Sequence, residues 1–350
     1  MTEAGLTVAV TGPTGTFGFG LIPLLEAEER VGRIVGIARR PFDPSEHGWN
    51  KMEYRRGDVR DAAALQEAFE GADVVVHLAF MITGAASRQT IRAINVEGTL
   101  NAFRAAVACR VERFVYASSV AAYGFHPDNP IGMTEEWPTR PASRLFYAQE
   151  KAELEALLRE EAAKTPPSGA ADKSKSHPAV GLYLLRPPIV LGPHAVGAKN
   201  LLPEPLAALA QNALDFANRL PIPVPVPVPD LPMQFIHEDD VGRALLACVL
   251  AEGPPGAYNI AGDGIVTAAD VVRELGFTPI TVPAGIAERA ARAAASIPLP
   301  SFAPPAAEWV EAATHPAIMD TGKAKRELDW KPKYTGIEAL RATLRRESDA

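Results

Sequence analysis

The chain has 350 residues, enough for two domains or for one large α/β domain with an appendage. Its hydrophobic fraction of 47% and charged fraction of 22% are those of an ordinary soluble globular protein. The formal net charge of −7 excludes the basic face that a nucleic-acid partner requires, and every apolar run of membrane-spanning length is broken by prolines or charges. We therefore expect neither a nucleic-acid partner nor a membrane partner.

The beginning of the chain and its two cysteines indicate a cytoplasmic protein. The opening MTEAGLTVAVTGPTG lacks the basic start of a signal peptide and leads directly into a strand pattern. Cys109 and Cys248 lie in helix-like apolar patterns, without the spacing of a metal or redox site. We predict structural thiols in a reducing cytoplasm and no metal.

The first half of the chain alternates short β-rich runs with helical patterns. Strands are predicted at 6–10, 33–39, 52–59, 73–80, 113–119 and 180–192. Helices are predicted directly after the first strand and at 61–71, 90–110 and 146–163. Apolar strands separated by helices are typical of a parallel sheet that is covered on both faces.

The second half is less regular. Residues 164–178 are rich in Pro, Ser and Lys without periodicity, which predicts a surface insertion. Residues 220–230 alternate Pro with Val or Ile, and the missing N–H groups exclude a central strand and favour an extended or edge segment. A helix is predicted at 239–251, and residues 321–334 have an ordered pattern.

The helix at 146–163 begins with FYAQEK, in which Tyr147 and Lys151 are four residues apart. On a helix this spacing places both side chains on one face. A neighbouring ammonium group favours phenolate and lowers a tyrosine pKa from about 10 toward neutrality, where the side chain can act as acid and base. The same spacing also arises by chance between unrelated polar residues, so it predicts a catalytic pair only together with other evidence.

The first strand is followed by TGPTGTFG, with glycines at 12, 15 and 18 where a helix begins. Small residues let the backbone approach a pyrophosphate, and the helix N-terminus favours its negative charge. A strand before this turn and a helix after it favour a dinucleotide-binding loop over an ordinary glycine-rich turn.

Taken together, these and other stretches resemble the extended short-chain dehydrogenases/reductases, in the NAD-dependent epimerase/dehydratase branch. The stretches are TGPTGTFG, GDVRD (57–61), VVHLAF (75–80), NVEGTLN (95–101), YASSVAAYG (116–124), YAQEK (147–151), LRPPIVLGP (185–193), FIHEDDV (235–241), YNIAGDG (258–264) and TGKAKRELDWKPKY (321–334). The resemblance implies an α/β fold, a Rossmann-type doubly wound parallel sheet with a smaller C-terminal substrate-binding domain. It assigns 1–192, with 235–260 returning, to the dinucleotide-binding domain, and 193–234 and 261–350 to the substrate-binding domain.

The resemblance also implies a catalytic set of Ser119, Tyr147 and Lys151. In that family the tyrosine is the general acid/base, the lysine lowers its pKa together with the nicotinamide charge and binds the ribose, and the serine hydrogen-bonds the substrate oxygen. The implied chemistry is hydride transfer at the carbon bearing that oxygen. The implied cofactor-binding residues are Gly12, Thr14, Gly15, Thr16, Phe17, Gly18, Arg39, Arg40, Asp58, Val59, Leu78, Ala79, Phe80, Asn95, Tyr147, Lys151, Pro187, Ile189 and Val190.

Two further polar residues lie in these stretches. Asn95 can order the site or serve as a packing or capping amide, and the sequence does not separate these roles. His237 precedes Asp239 and Asp240, a pattern that favours a structural turn and helix cap over catalysis.

Several positions depart from the nucleotide-sugar enzymes of that family. Residues 120–122 are Val-Ala-Ala where dehydratases and decarboxylases carry an acid after the serine, which argues against those reactions. Ile189 and Leu191 replace an Asn and a Tyr, and Met233 and Gln234 replace an Arg-Asp pair whose Arg meets the diphosphate. Because an anionic diphosphate needs charged or amide donors, these changes predict a more apolar pocket.

Three functions remain open at this stage. The first is a carbonyl reductase or alcohol dehydrogenase acting on a non-nucleotide, fairly apolar small molecule. The second is a nucleotide-sugar 4-epimerase, whose Ser-Tyr-Lys requirement is met. The third is a dinucleotide-binding sensor without turnover, which the intact Ser119, Tyr147 and Lys151 argue against.

The end of the second strand bears on the cofactor. NAD-selective folds place an acid there for the adenosine ribose, whereas this chain has Ala38 followed by Arg39 and Arg40. Guanidinium groups suit a 2′-phosphate, so NADP is favoured over NAD, although both arginines could be solvated surface charge. The helices at 90–110 and 146–163 carry apolar residues on more than one face, and in the resembling family they pair across a two-fold axis. We therefore expect a homodimer.

Overall fold

The structure is a computed structural model. It describes residues 5–82, 86–142, 144–164, 180–195, 225–283 and 315–348, together with 285 and 289. From residue 165 onward the predicted insertion lies outside the described residues, as do residues 220–224 of the Pro/Val segment. Within the described residues no helix is both long and apolar enough to cross a membrane.

The described strands, in chain order, are β1 (Leu6–Thr11), β2 (Val31–Ala38), β3 (Met52–Arg56), β4 (Val74–His77), β5 (Arg113–Ala117), β6 (Gly181–Arg186), β7 (Ile189–Leu191), β8 (Pro225–Pro229), β9 (Pro232–Met233), β10 (Phe235–His237), β11 (Gly256–Asn259), β12 (Val266–Thr267) and β13 (Thr278–Val282). Seven of them form one parallel sheet in the order β11-β6-β5-β4-β1-β2-β3. The predicted α/β class with a Rossmann-type parallel sheet is confirmed. The division into two domains stays a prediction.

The described α-helices are α1 (Thr16–Ala27), α2 (Ala62–Phe69), α3 (Arg88–Arg92), α4 (Gly98–Ala108), α5 (Phe146–Lys164), α6 (Glu238–Val249), α7 (Ala268–Glu274), α8 (Gly322–Glu327) and α9 (Gly336–Ser348). They cover both faces of the sheet because strand side chains alternate in direction. Val8 and Val10 of β1 pack with residues of α1 and α6. Ala9, between them, packs with residues of α2, α4 and α5 on the opposite face.

The predicted helix at 90–110 is interrupted. A π turn at Ala93–Glu97 lies between α3 and α4. The Thr99 hydroxyl donates a 2.5 Å hydrogen bond to the Asn95 carbonyl, so a side chain occupies an acceptor that belongs to the helix ladder. Such turns are frequent at functional sites, and this one places Asn95 inside the protein.

The single strand predicted at 180–192 is two strands, β6 and β7. Pro187 and Pro188 separate them, since neither residue has an N–H group to continue a ladder. β6 belongs to the large sheet, whereas β7 pairs in parallel with β10. Residues after Pro187 therefore leave the sheet at its carboxyl edge.

The later part of the chain forms small pairs of strands. The described part of the Pro/Val segment is β8, which pairs in parallel only with β13 among the described strands, so its expected edge character is confirmed. The predicted helix at 239–251 is α6. His237 caps it by accepting the N–H of Asp239 at 3.2 Å, so the expected structural role of this turn is confirmed. The buried carboxylate of Asp240 accepts the N–H groups of Lys333 and Tyr334, which attaches the ordered C-terminal stretch to α6.

Candidate active site

The predicted site residues gather at the carboxyl edge of the parallel sheet. Gly12 follows β1, Leu78 follows β4, Ser119 follows β5 and Pro187 follows β6. Parallel strands end at the same edge, and the strand order reverses direction between β1 and β4. Ligands of such sheets bind in the crevice outside the strand ends at this switch point.

The three glycines after β1 have different physical roles. Gly12 has a φ of 70°, and a Cβ there would lie 2.9 Å from the Ala79 nitrogen. A Cβ at Gly18 would lie 1.9 Å from the Pro13 carbonyl oxygen. Packing within the chain therefore requires glycine at both Gly12 and Gly18. A Cβ at Gly15, in contrast, would have only the Gly12 oxygen nearby, at 3.5 Å.

Gly15 therefore leaves open space in front of α1. The helix has Gly15 as its N-cap and no side-chain cap. The first N–H groups of a helix need partners from outside it, and together with the helix dipole they form a site for an anion. The loop fits the pyrophosphate of a dinucleotide, because the helix begins at Gly15 and a Cβ there would meet only the Gly12 oxygen.

Other predicted cofactor residues adjoin this loop. Thr14 is half-buried, Thr16 donates its hydroxyl proton to the His194 carbonyl at 2.9 Å, and Phe17 packs against the core. The backbone N–H groups of Leu78 and Ala79 bond to Thr11, which holds the end of β4 beside the loop.

The adenosine end of the predicted site lies beyond β2 and β3. Arg39 and Arg40 directly follow β2 and have exposed side chains. Asp58 follows β3 and pairs with Arg60 at 2.8 Å, and the hydrogen bond from Arg60 is the main cause of its lowered pKa, with a smaller electrostatic contribution from Arg39. Val59 is buried against Gly98. Positive charge therefore surrounds the position where NAD-selective folds have an acid.

The segment after β6 runs beside the predicted catalytic residue Ser119. The Pro187 carbonyl accepts the N–H of Val120 at 2.9 Å. Ile189 is 53% exposed, while Val190 is half-buried against the core cluster that contains β1. The side chain of Ile189 is thus available to a bound molecule.

The Ser119 hydroxyl lies close enough to the Tyr147 hydroxyl to influence the pKa of the phenol. Ser119 lies two residues after β5 and caps a 3-10 turn by accepting the N–H of Ala121 at 3.1 Å. Burial raises the pKa of Tyr147 to about 12, although the hydrogen bond to Ser119 acts in the opposite direction. The expected lowering of this pKa by Lys151 is not found in the protein alone, where burial has the largest effect on it.

Lys151 lies beneath Tyr147 on α5 and is attached to β5. Its Nζ donates hydrogen bonds to the Ala117 carbonyl at 2.7 Å and to the Tyr116 hydroxyl at 3.1 Å. The side chain is buried, and burial lowers its pKa to about 7. Ser119, Tyr147 and Lys151 are thus brought together, with the tyrosine protonated at neutral pH.

The amide of Asn95 connects the end of β4 to α5. Its Nδ2 donates to the Met81 carbonyl at 2.9 Å and to Glu150 Oε2 at 2.7 Å. Its Oδ1 accepts the N–H of Met81 at 2.7 Å. Both amide protons are used within the chain, so Asn95 orders the site and has no free donor for a cofactor.

His77 was not among the predicted site residues, yet it joins two parts of the site. Its Nδ1 lies 2.9 Å from the Thr11 hydroxyl and its Nε2 lies 3.0 Å from the Thr99 hydroxyl. Because Thr99 spends its proton on the Asn95 carbonyl, Nε2 carries the proton and Nδ1 accepts from Thr11. Burial, and next the charge of Lys151, lower the pKa of His77 to about 3, so it is neutral. A histidine within an apolar strand run was the available signal.

A second unpredicted network includes Ser118, the neighbour of Ser119 in the chain. Ser118 donates its hydroxyl proton to Glu155 Oε1 at 2.6 Å. Arg186 donates from Nε to the same oxygen at 2.8 Å and from Nη1 to the Tyr123 hydroxyl at 2.5 Å. The buried network therefore connects α5, β6 and the turn that follows Ser119.

Several known proteins are similar to this chain in sequence or in fold. An uncharacterised protein, y4nG, from Sinorhizobium fredii is 26% identical over 342 residues, covering 95% of this chain and 76% of its own length. The L-arabinose 1-dehydrogenase (NAD(P)(+)) of Haloferax volcanii is 36% identical over 112 residues, 32% of this chain and 40% of that protein. The structure of UDP-glucose 4-epimerase from Thermotoga maritima has a TM-score of 0.69 at 19% identity, covering 99% of this chain and 100% of that chain.

The sequence profile of one family matches residues 8–261. This range contains the seven-stranded sheet except for the first two residues of β1, together with the glycine loop and the residues around Tyr147. The match covers more than half of the chain, and we conclude that the protein belongs to the NAD-dependent epimerase/dehydratase family.

Proposed function

We propose that the protein is an NAD(P)-dependent oxidoreductase that acts at a carbonyl or secondary alcohol of a non-nucleotide, fairly apolar small molecule. Ser119 and Tyr147 bind the substrate oxygen together, and Tyr147 exchanges its proton with that oxygen. Lys151 supports the tyrosine from below and binds the ribose of the cofactor. The bound nicotinamide supplies or accepts the hydride.

The protonation state of the site suits reduction of a carbonyl group. With a pKa raised to about 12, Tyr147 keeps its proton at neutral pH and can donate it to an oxygen that gains negative charge. The Ser119 hydroxyl influences the pKa of the same phenol, so a substrate oxygen bound beside both hydroxyl groups would accept from each. No proton has to be brought from solvent before the first turnover.

The observation that carries the choice of a non-nucleotide substrate is the pairing of Gln234 with Met319. Gln234 Nε2 donates to the Met319 carbonyl at 3.0 Å, and its Oε1 accepts the Met319 N–H at 2.8 Å. The side chain is buried and both ends of its amide are occupied by the backbone. Gln234 is therefore closed to a substrate diphosphate.

Neighbouring positions add apolar surface. Met233, which stands where the diphosphate-binding Arg is expected, packs with a cluster that includes Leu191 and Phe235. Ile189, where an Asn is expected, and Ile82, shortly after β4, are each 53% exposed. Ile82 follows Phe80 by two residues, and Ile189 lies two residues after Pro187, whose carbonyl accepts the N–H of Val120 beside Ser119. Exposed isoleucines at these positions favour an apolar substrate over a charged one.

A relative supports the same reaction class. The Haloferax volcanii protein is named as a dehydrogenase of L-arabinose, a sugar without a nucleotide, and uses NAD(P)(+). Its similarity to this chain extends over 112 residues. We accordingly place the reaction among hydride transfers to small molecules.

A nucleotide-sugar 4-epimerase is the second candidate. The paired Ser119 and Tyr147, with Lys151 beneath them, meet the minimal requirement of that reaction, and the fold is shared with an epimerase solved with UDP-glucose. The two candidates differ in the ligand that the pocket accepts. An epimerase must bind a UDP-sugar, whereas the proposed reductase need not.

A two-part experiment separates the candidates. The first part follows NADPH and NADH oxidation with a panel of aliphatic and aromatic aldehydes and ketones, for wild type and Tyr147→Phe. The second part records thermal unfolding with UDP-glucose and UDP-galactose, since a ligand that binds the native state raises Tm. Tyr147-dependent oxidation without a UDP-sugar shift supports the proposal. A Tm increase with UDP-sugars, without turnover of the carbonyl panel, supports the epimerase instead.

Further parts of the proposal concern the cofactor and assembly. We propose NADP(H) as the preferred cofactor because Arg39 and Arg40 follow β2 where an acid would select NAD. We also propose a cytoplasmic homodimer built on α3, α4 and α5, with substrate held by the later part of the chain.

A further inference from the structure

The ammonium group of Lys151 lies among three aromatic rings. Its Nζ is 3.7 Å from the ring centroid of Phe80, 4.7 Å from that of Tyr116 and 5.8 Å from that of Tyr147. Its two hydrogen bonds go to Ala117 and Tyr116. An ammonium group has three protons, so one remains directed elsewhere, and the Phe80 ring is its closest aromatic neighbour.

The carboxylates near Lys151 have other partners. Glu155 and Glu150 each raise the pKa of Lys151 by electrostatic attraction, but burial outweighs both. Glu155 is bound by Arg186 and Ser118, and Glu150 accepts from Asn95. Neither forms an ion pair with Lys151 in the described structure, so the ammonium charge is not neutralised by direct contact.

The remaining ionisable groups around Lys151 are uncharged. Tyr116 and Tyr147 both have raised pKa values because of burial, so both phenols are neutral. His77, whose pKa is lowered by burial and next by the charge of Lys151, is neutral as well. Lys151 is buried, and the attraction between a desolvated cation and the face of an aromatic ring is at the strong end of its range.

Phe80 is itself held in a defined position. The preceding residue, Ala79, donates its N–H to Thr11, and both backbone groups of the following residue, Met81, are bound by Asn95. The Phe80 ring also meets the Tyr147 ring edge to face, with centroids 5.7 Å apart and an interplanar angle of 88°. One ring therefore contacts both the lysine and the tyrosine.

We propose that Phe80 is a positioning residue that keeps Lys151 charged beneath Tyr147 by placing the face of its ring against the ammonium group. The inference rests on the proposed roles of Lys151 and Tyr147. Burial brings the pKa of Lys151 to about 7, where a small loss of stabilisation changes the charged fraction at neutral pH. Phe80 thus sets the fraction of protein molecules in which Lys151 is protonated and able to support Tyr147 and the cofactor ribose.

The test measures the Lys151 pKa directly in protein without cofactor or substrate. Lysine labelled with ¹³C at Cε is titrated by NMR, and the Lys151 signal is assigned by its loss in Lys151→Arg. Phe80→Leu removes the aromatic face while filling most of its volume, so that water does not enter. We expect the Lys151 pKa to fall by about one unit in Phe80→Leu and to stay near the wild-type value in Phe80→Tyr.

Phe146→Leu is the matched control. Phe146 is also on α5, but its ring faces the Arg88 guanidinium at 5.4 Å, so its loss should leave the Lys151 pKa unchanged. If Phe80→Leu does not fold, Phe80→Met supplies the same comparison. An unchanged or raised Lys151 pKa in the folded variant overturns the inference, even if the enzyme reduces carbonyls. A lowered pKa supports it, even if the substrate proves to be a nucleotide sugar.

Discussion

Arg186 and Glu155 form a buried ion pair, with side chains 1% and 0% exposed. Two guanidinium nitrogens contact the two carboxylate oxygens, at 2.8 and 2.5 Å. Ser118, the residue before the catalytic serine, is bonded to the same carboxylate. The Glu155 carboxylate therefore binds both the buried Arg186 and Ser118, which precedes Ser119 in the chain.

Removing one partner of this pair should be costly. Glu155→Ala leaves a buried guanidinium without its carboxylate, and we expect the free energy of unfolding to fall by roughly 3–5 kcal/mol. Glu153→Ala is the control, because Glu153 is on the same helix and pairs with Arg92 at the surface. Its effect should be below about 1 kcal/mol. Urea unfolding of both variants measures the difference, and similar losses would contradict the structural role given to Glu155.

The stability cost of Lys151 should depend on pH. Its folded pKa of about 7 lies below the usual lysine pKa of 10.5, so the unfolded chain binds more protons between these two values. Stability from this group therefore rises with pH above about 7, and the cost of burying the cation is complete below it. Relative to Lys151→Met, wild type should gain roughly 2–3 kcal/mol of unfolding free energy between about pH 6 and about pH 9. Denaturant titrations at both pH values test this, and a pH-independent difference would refute it.

Loss of the phenol hydroxyl should separate chemistry from cofactor binding. Tyr147→Phe removes the proton donor and keeps the ring against Phe80, so we expect kcat to fall by at least about 100-fold with nearly unchanged cofactor affinity. Lys151→Ala should weaken both, since it serves the ribose and the phenol. Steady-state kinetics and fluorescence titration of the cofactor give the two quantities. Retention of more than roughly a tenth of the activity in Tyr147→Phe would show that another group supplies the proton.

The arginines after β2 should favour NADP(H). We expect NADP(H) to bind more tightly than NAD(H) by about 1–3 kcal/mol if one guanidinium contacts the 2′-phosphate. Arg39→Ala should lose this preference without losing NAD(H) affinity. Arg33→Ala is the control, since Arg33 lies nearer the start of β2 and pairs with Glu53. Equal affinities for both cofactors in wild type, measured by calorimetry, would disprove the preference and leave the family assignment intact.

The protein should be a homodimer through α3, α4 and α5. Surface ion pairs, Arg92 with Glu153 and Arg104 with Glu161, join these helices into one surface. Light scattering at micromolar concentration should give twice the chain mass of 37.3 kDa. Ala156→Glu introduces a charge at an exposed position of α5 and should shift the mass toward the single chain. A wild-type mass near 37.3 kDa would argue against this interface.

Local features were readable from the sequence alone. Strand and helix periods, the glycine spacing after β1 and the four-residue separation of Tyr147 and Lys151 are properties of short segments, and most described elements of the first half form near the predicted positions. The fold class followed because apolar strands alternating with helices have few other arrangements. The break at Pro187 was equally local and was missed when 180–192 was treated as one strand.

The chemistry of the site was decided by tertiary structure. Helical spacing placed Lys151 beside Tyr147 and suggested a lowered phenol pKa, but burial, which no spacing reveals, raised it to about 12. The partners that matter come from distant parts of the chain: Phe80 against Lys151, Met319 against Gln234 and Arg186 against Glu155. Desolvation and long-range hydrogen bonding depend on how elements pack, so they exist only once the sheet is assembled.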